Sequence, residues 1–170
     1  LQMRKSIIVF SSVDGHTREI CEYIANYLDE NIDVISLDEL PDLEKYQKII
    51  IGASIRYGKY RKNLFDFIKK NQNLIESKDN AFFSVNVVAR KNEKNTAETN
   101  PYVIKFLNST SWIPKNIDVF AGKIDYPRYK FLDKYAIKFI MWITNGPTDT
   151  SQTYEFTDWE RVKSFANKIK

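Results

Sequence analysis

Residues 5–17 read Lys5-Ser-Ile-Ile-Val-Phe10-Ser-Ser-Val-Asp-Gly15-His-Thr17, so that an apolar strand runs directly into a loop rich in hydroxyl groups. An amphipathic helix follows the loop. Backbone N–H groups and hydroxyls at a helix N-terminus can surround a single phosphate. The spacing therefore predicts a phosphate-binding loop, and an ordinary capped strand-to-helix turn is the alternative. Its predicted binding residues are Ser11, Ser12, Asp14, Gly15, His16 and Thr17.

Two of these residues have more than one interpretation. Asp14 would repel a phosphate unless it points away, where it could cap the helix. His16 either donates to the phosphate or lies on the solvated surface.

The remaining apolar runs predict an α/β domain with a doubly wound parallel sheet. Strands alternate with helices, and the almost fully apolar run 48–53 is typical of a strand buried on both faces. Five such strands fit the order 2-1-3-4-5, with a ligand bound at the switch between strands one and three. Strands are predicted at 5–10, 32–36, 48–53, 81–88 and 117–122, and helices at 18–29, 64–70, within 96–109 and at 157–168.

Helix faces and caps are predicted from the same periodicity. Val103, Phe106 and Leu107 are expected to form the buried face of the third helix. Thr157 and Glu160 are spaced as a capping box that opens the last helix. Neither G-x-G-x-x-G nor G-x-x-x-x-G-K-[ST] occurs, which disfavours a dinucleotide fold and a P-loop NTPase.

Composition limits the classes of protein. Hydrophobic residues make up 43% and charged residues 28% of the 170 residues, which suits one folded domain over 3–170. Leu1 and Gln2 precede Met3 and are expected to be foreign to the natural chain. One Cys and one His cannot form an ordinary zinc site, so no metal is predicted. The net charge of +4 indicates an anionic partner or merely aids solubility.

The segment 123–156 is too long for an ordinary strand-to-helix connection. After Pro127 it has helical spacing, with Lys130, Lys134 and Lys138 on one face. Bulky apolar residues cover the other face: Phe131, Leu132, Tyr135, Phe139, Trp142 and Ile143. Such a helix either contacts an anionic membrane surface or a second copy through 128–143, or packs its apolar face on the core. No apolar run reaches the roughly 18 residues of a spanning helix.

Two more loops at the same sheet edge supply candidate binding residues. The loop after strand three offers an aromatic ring for stacking, an arginine and a glycine for a tight turn, in Ser54, Ile55, Arg56, Tyr57 and Gly58. The loop after strand four offers backbone amides, a side-chain amide and positive charge, in Asn86, Val87, Val88, Ala89 and Arg90. Capped or solvated basic loops are the alternative for both.

Several motifs carry a family resemblance. The segments 10–19, 51–60, 83–91, 121–129 and 154–159 include Ala53-Ser-Ile-Arg-Tyr-Gly58, Val88-Ala-Arg-Lys91 and Tyr126-Pro-Arg-Tyr129. Together with the long insert they resemble the flavodoxin-like, quinone-dependent protoporphyrinogen IX dehydrogenases of bacterial haem synthesis. The resemblance implies a flavodoxin-like fold with the insert after strand five. It covers essentially residues 3–170.

The resemblance also implies a function. FMN would occupy the crevice and oxidise protoporphyrinogen IX by six electrons, which then pass to a membrane quinone. Arg56, Arg90, Arg128 and Tyr126 are the expected substrate contacts. The expected location is the cytoplasmic face of the cell membrane, with no nucleic-acid partner and a homo-oligomer left open. A basic flavodoxin-like FMN electron carrier is the main alternative, and a flavin-free interaction module is a weaker one.

Overall fold

A computed structural model describes residues 6–12, 15–28 and 31–170. Its main sheet is parallel throughout, with the strand order β2-β1-β3-β4-β5, which confirms the predicted topology. The strands are β1 (Ser6–Ser11), β2 (Ile32–Ser36), β3 (Lys48–Ser54), β4 (Asp79–Val85) and β5 (Asn116–Phe120), and the helices are α1 (His16–Leu28), α2 (Lys62–Glu76), α3 (Pro101–Ser109), α4 (Phe131–Ile143) and α5 (Trp159–Lys168).

The core lies on both faces of this sheet because successive β1 side chains point to opposite sides. Ile7 and Val9 belong to the cluster that includes Leu64 of α2 and Phe106 of α3. Ile8 belongs to the opposite cluster, which contains buried side chains of α1 and α5. All three β1 residues are completely buried. The helices therefore cover both faces of the sheet, and the carboxyl ends of its strands remain accessible to a ligand.

Three local predictions are wrong. Strand four ends at Val85, because Asn86 caps a 3₁₀ turn over Val87–Arg90 by accepting from the Ala89 amide at 3.1 Å. Helix α5 begins at Trp159, two residues later than predicted. Its N-cap is Asp158, while Thr157 donates to the Ala121 carbonyl. Leu107 is 37% exposed, so only Val103 and Phe106 of α3 are buried.

The insert forms a small structure of its own beside the sheet. The two ends of the insert pair as a small antiparallel sheet of β6 (Lys123–Asp125) and β7 (Thr153–Glu155). This sheet, which the sequence did not predict, forms the base of the insert. Helix α4 rests on this base through Met141, which is buried with Ile124 and Tyr126, and Ile137 packs against them.

The bulky face of α4 is therefore the outer one, and of the two alternatives for this helix the one in which this face packs on the core is wrong. Leu132 is 79% exposed and Trp142 is 70% exposed. The inner face is formed by Ile137 and Met141, which interrupt the lysine face in the sequence. Among the described residues, no helix combines the length and apolar character that crossing a bilayer requires.

Candidate functional site

Four segments meet at the carboxyl edge of the sheet, where β1 and β3 diverge to their helices. They are the loops after β1, β3 and β4 and the start of the insert at β6. A narrow gap of about 40 Å³ between them is lined by residues of all four segments, including Thr17, Ser54, Asn86 and Lys123. This is the switch point at which doubly wound folds bind their ligands. The structure thus brings the predicted binding loops together.

The loop after β1 has the geometry of an anion cradle. The Ser12 hydroxyl accepts from the Gly15 amide at 3.0 Å, and Gly15 adopts a φ of +88°, which favours glycine. The hydroxyls of Ser11 and Thr17 are buried without a hydrogen-bond partner. The described residues contain four such buried side-chain atoms, and two of them lie in this loop. Buried polar groups are normally satisfied, so these hydroxyls indicate a missing acceptor.

Asp14, the remaining predicted phosphate ligand, lies outside the described residues. His16 is described and differs from both predictions made for it. It is only 6% exposed, its Nδ1 lies 3.2 Å from the Glu19 carboxylate and its Nε2 lies 2.7 Å from the Thr157 hydroxyl. The ring therefore joins the start of α1 to the end of the insert. A direct contact with a phosphate is not needed to explain its position.

The loop after β3 forms a tight turn. Arg56 and Lys59 pair across it with two backbone hydrogen bonds, and Tyr57 and Gly58 both have positive φ angles of +52° and +73°. Glycine tolerates this conformation, as predicted for Gly58. Ser54 and Ile55 line the gap at its base, where the Ser54 hydroxyl donates to the Ser11 carbonyl at 3.4 Å and the Ile55 amide donates to the Val85 carbonyl.

The side chains of this turn reach the insert. Arg56 donates to Asp133 of α4 at 3.3 Å, and the Tyr57 hydroxyl donates to the same carboxylate. The second hydrogen bond raises the pKa of Tyr57 above its ordinary value. Arg56 also lies over the ring of Tyr129, 5.6 Å from its centre. The turn is therefore held against α4 in this structure.

Asn86, in the loop after β4, does not have the role predicted for its side chain. Its amide group donates to Ser84 and Asn100, and its oxygen accepts from Asn100 and from the Ala89 amide. Because donors and acceptor are all engaged and the residue is buried, the side chain fixes the loop. It is not available to a flavin. Val87 and Val88 line the crevice beside it, while Ala89 is buried below.

Arg90 also has a different role from the predicted substrate contact. Its guanidinium donates to the Val87 carbonyl at 3.1 Å and to the Thr144 carbonyl at 3.1 Å, just beyond the end of α4. Burial lowers its pKa below the ordinary value. Arg90 therefore fastens the loop after β4 to the C-terminal end of the insert helix.

An apolar slot of about 130 Å³ opens between the Tyr57 turn and the insert. One wall consists of Ile55, Tyr57, Val87 and Val88 from the loops at the sheet edge. The opposite wall consists of Tyr129, the inner face of α4 with Ile137 and Met141, and the neighbouring Ile140. A flat, largely apolar ring system fits such a slot, and its polar edge would face the loop backbone.

A larger polar cavity of about 450 Å³ lies on the other side of Arg56. Its lining is rich in charge, with Arg56, Lys123, Arg128 and Lys130 against Glu19, Asp125 and Asp133. Arg56, Lys123 and Tyr129 line both this cavity and the slot. Arg128 lines this cavity, is largely exposed and lies 3.8 Å from Asp125, and its contact with substrate stays a prediction.

Tyr126, by contrast, is completely buried, and its hydroxyl donates to the Pro147 carbonyl at 2.7 Å. Burial raises its pKa to about 12. The predicted contact between Tyr126 and substrate does not agree with this position. The residue holds the two ends of the insert together.

Asp133, Lys123, Tyr129 and Thr157 line or support the crevice but were not among the predicted site residues. Tyr129 and Lys123 belong to the insert, whose position after β5 already placed it near the crevice. Asp133 is the single acidic residue among the lysines and aromatic residues of 128–143, and this isolated charge is the feature of the sequence that distinguishes it.

Comparison with known proteins agrees with this geometry. The model of the flavodoxin domain family matches residues 7–151. Flavodoxin 1 from Bacillus cereus superposes with a TM-score of 0.53 at 18% identity, over 97% of this chain and 96% of that chain. A flavodoxin from the domain Archaea gives a TM-score of 0.51 at 16% identity, over 97% and 98% of the two chains. These solved structures support the fold.

Relatives of higher identity align with almost the whole chain. The chain is 45% identical to the protoporphyrinogen IX dehydrogenase (quinone) of Escherichia coli (strain K12), over 97% of this chain and 94% of that protein. It is 41% identical to the protein of the same name from Leishmania major, over 98% of this chain and 74% of that protein. With its flavodoxin fold, its crevice and these relatives, the chain belongs to the flavodoxin-like, quinone-dependent protoporphyrinogen IX dehydrogenase family.

Proposed function

We propose that this protein binds FMN in the crevice and oxidises protoporphyrinogen IX to protoporphyrin IX, with a quinone as the electron acceptor. The relatives that share 45% and 41% of its sequence carry that activity in their names. The chain aligns with the first of them over 97% of its own length and 94% of that protein.

The residues at the sheet edge fit a flavin mononucleotide. The unpartnered hydroxyls of Ser11 and Thr17, the N-terminus of α1 and the Gly15 turn would hold a phosphate without a metal ion. The slot walled by Tyr57, Val87 and α4 would hold an aromatic ring system. A bound flavin would supply the capacity to accept hydride equivalents from the substrate.

The chain's own residues would bind and orient the substrate. Protoporphyrinogen IX is an apolar macrocycle that carries two propionates. Its carboxylates suit the cations of the polar cavity, Arg56 and Arg128 first among them. Because that cavity adjoins the slot, the macrocycle would lie next to a flavin held there. No side chain is assigned as a catalytic acid or base.

The observation that carries this proposal is that the polar cavity adjoins the slot and shares Arg56, Lys123 and Tyr129 with it. An electron carrier needs a flavin site and a surface for its partner, and it has no use for a charged cavity of about 450 Å³ beside the flavin. The enzyme interpretation uses both compartments.

The direct test is an anaerobic assay of the FMN-loaded protein with protoporphyrinogen IX and a quinone. We expect porphyrin fluorescence to rise only when protein and quinone are both present. The Arg56→Gln variant should bind flavin but raise the KM for the porphyrinogen. No porphyrin formation above the blank by a flavin-loaded protein would leave the electron carrier as the better interpretation.

We further propose that the outer face of α4 contacts an anionic membrane, which would hold the chain at the cytoplasmic face of the cell membrane. Phe131, Leu132, Phe139, Trp142 and Ile143 are all more than half exposed on this face. Lysines lie along the same helix, where their long side chains can extend to lipid head groups. A quinone acceptor dissolved in the bilayer would then be close to the slot.

Vesicle sedimentation tests this surface. Replacing Phe139 and Trp142 by Gln should weaken binding to anionic vesicles by about tenfold or more, because each buried aromatic side chain contributes ~1.5–3 kcal/mol. Ile113, which is 82% exposed on another part of the surface, provides the matched control as Ile113→Gln. Unchanged vesicle binding of the double variant, or a dimer that the variant loses, would contradict the membrane contact.

A further inference from the structure

Asp133 makes a bridge across the crevice. It lies in the first turn of α4 and is the only acidic residue of that helix. Its carboxylate accepts from Arg56 at 3.3 Å and from the Tyr57 hydroxyl, both on the turn after β3. The insert helix and the turn at the flavin slot are thereby joined through one side chain.

The contact of Asp133 with Arg56 and Tyr57 lies where the polar cavity and the apolar slot meet. Arg56 lines both the polar cavity and the apolar slot, and Asp133 lines the polar cavity. The side chains of Arg56 and Asp133 keep 20% and 28% of their surface exposed. A partly solvated ion pair of this kind is weak, worth about two- to fivefold in an equilibrium constant at most. Another carboxylate that enters the cavity can therefore replace it.

The rest of the cavity favours such a ligand. Arg56 already binds a carboxylate there, so the structure displays the chemistry that the subsite accepts. Lys123 and Lys130 also line the cavity, and neither forms a salt bridge with any carboxylate that the structure describes. Glu19 is engaged by His16, and Asp125 faces Arg128. The lining retains positive charge for an incoming anion.

We propose that the polar cavity is a subsite for an aliphatic carboxylate, and that Asp133 is its built-in competitor, which occupies Arg56 until a carboxylate of the ligand takes its place. The assignment of that ligand as a propionate-bearing substrate rests on the proposed function; the exchange itself does not. Because Asp133 belongs to α4, the exchange also releases the helix whose inner face walls the slot.

Asp133 is thus a specificity-determining residue. A ligand with a carboxylate gains Arg56 and loosens the wall of the slot in one step. A neutral ligand of the same shape leaves the bridge intact. The Arg90 contact with Thr144 holds the far end of α4, so the movement is confined to its N-terminal half.

Amide hydrogen exchange of the flavin-loaded protein tests whether a small carboxylate, propionate, replaces Asp133 at Arg56. We expect sodium propionate to raise amide exchange in the first turns of α4 by at least about twofold in the wild type. Propionamide at the same concentration, with sodium chloride at matched ionic strength, should change nothing. Asp133→Asn should show the raised exchange without propionate and no further response.

Affinity gives the second readout. Asp133→Asn should bind propionate about two- to fivefold more tightly than the wild type, because the Asp133 carboxylate no longer competes for Arg56. Asp125→Asn is the matched control, since it removes the same charge from the same cavity without touching Arg56. An equal gain in both variants would reduce the effect to general electrostatics and overturn the proposal.

An α4 that responds equally to propionate and propionamide, or to neither, would also overturn it. These outcomes are independent of the proposed function. If propionate displaces Asp133 from Arg56 but the protein forms no porphyrin, the carboxylate subsite stands and the proposed function fails. If the protein forms porphyrin but α4 does not respond to propionate, the proposed function stands and the role of Asp133 is contradicted.

Discussion

At the scale of single residues, two hydroxyls distinguish a binding loop from an ordinary turn. Ser11 at the end of β1 and Thr17 at the start of α1 are buried with no hydrogen-bond partner, an arrangement that costs free energy in the flavin-free protein. Ser6 has the same kind of orphaned hydroxyl at the opposite end of β1, far from the crevice. Ser6 therefore provides a control for the two hydroxyls at the crevice.

Thr17→Val should weaken FMN binding by tenfold or more, since a hydrogen bond to a charged group is worth ~1.5–3 kcal/mol. The flavin-free protein should keep its stability or gain some, because a buried unsatisfied hydroxyl is replaced by a methyl group of similar shape. Fluorescence titration and urea unfolding measure the two effects. Ser6→Ala should leave the affinity unchanged, and an equal loss in both variants would contradict the assignment of the loop.

Asp118 provides a pH-dependent prediction. It pairs with Arg161 at 2.8 Å, yet burial outweighs this partner and raises its pKa above 3.8. The folded state therefore retains a proton that the unfolded chain has lost, and the stability of the wild type falls as pH rises from about 3.8 through the raised pKa.

Asp118→Asn lacks this proton, so the stability difference between variant and wild type should move in favour of Asn across the same pH window. Urea unfolding of both proteins from pH 4 to pH 7 measures the slope. A difference that moves in favour of Asp as pH rises would show that the Arg161 contact dominates instead.

At the scale of elements, close strand packing supports the crevice. Gly52 lies in β3, and a Cβ built there would come within 2.2 Å of the Phe83 ring of β4. Gly52→Ala should therefore destabilise the protein by about 1–3 kcal/mol, as overpacking of a core does. Thermal or urea unfolding checks the loss. Gly122→Ala, whose nearest contact would be an ordinary 3.5 Å, is the control, and equal losses would contradict the packing argument.

Helix α4 shows where sequence patterns stop being decisive. Apolar residues occupy more than one of its faces, so periodicity alone could not say which face packs inward. The contact of Ile137 and Met141 with Ile124 and Tyr126 decides it, and those partners belong to a small sheet that the sequence did not indicate. The strands of the main sheet were predictable because their apolar runs are short and local, and those of β1, β3 and β4 are almost completely buried.

At the scale of the whole molecule, the candidate site was predictable in outline. The three loops were expected at one sheet edge because parallel strands end together, and the structure confirms that meeting. The assignments of Asn86, Arg90 and Tyr126 differ because buried hydrogen bonds to distant residues engage their polar atoms. Asp133 was missed for the same reason: it meets Arg56 across 77 residues of sequence.

The crevice combines three properties that each belong to a different part of the chain. The phosphate loop comes from β1 and α1, and the apolar slot needs the inner face of α4. The polar cavity is lined by Arg56 of the turn and by residues of the insert. Flavin binding alone would require the first two. Oxidation of a carboxylate-bearing macrocycle requires all three to open into one another.

The most direct measurement is the visible flavin absorption of the FMN-loaded protein, mixed with protoporphyrinogen IX without oxygen. We predict that the flavin band bleaches on mixing, because each flavin accepts two of the six electrons of the substrate. A quinone added afterwards should restore the band and allow porphyrin to form. A flavin band that stays unchanged with fresh porphyrinogen, in a protein that a chemical reductant bleaches normally, would contradict the proposed reaction.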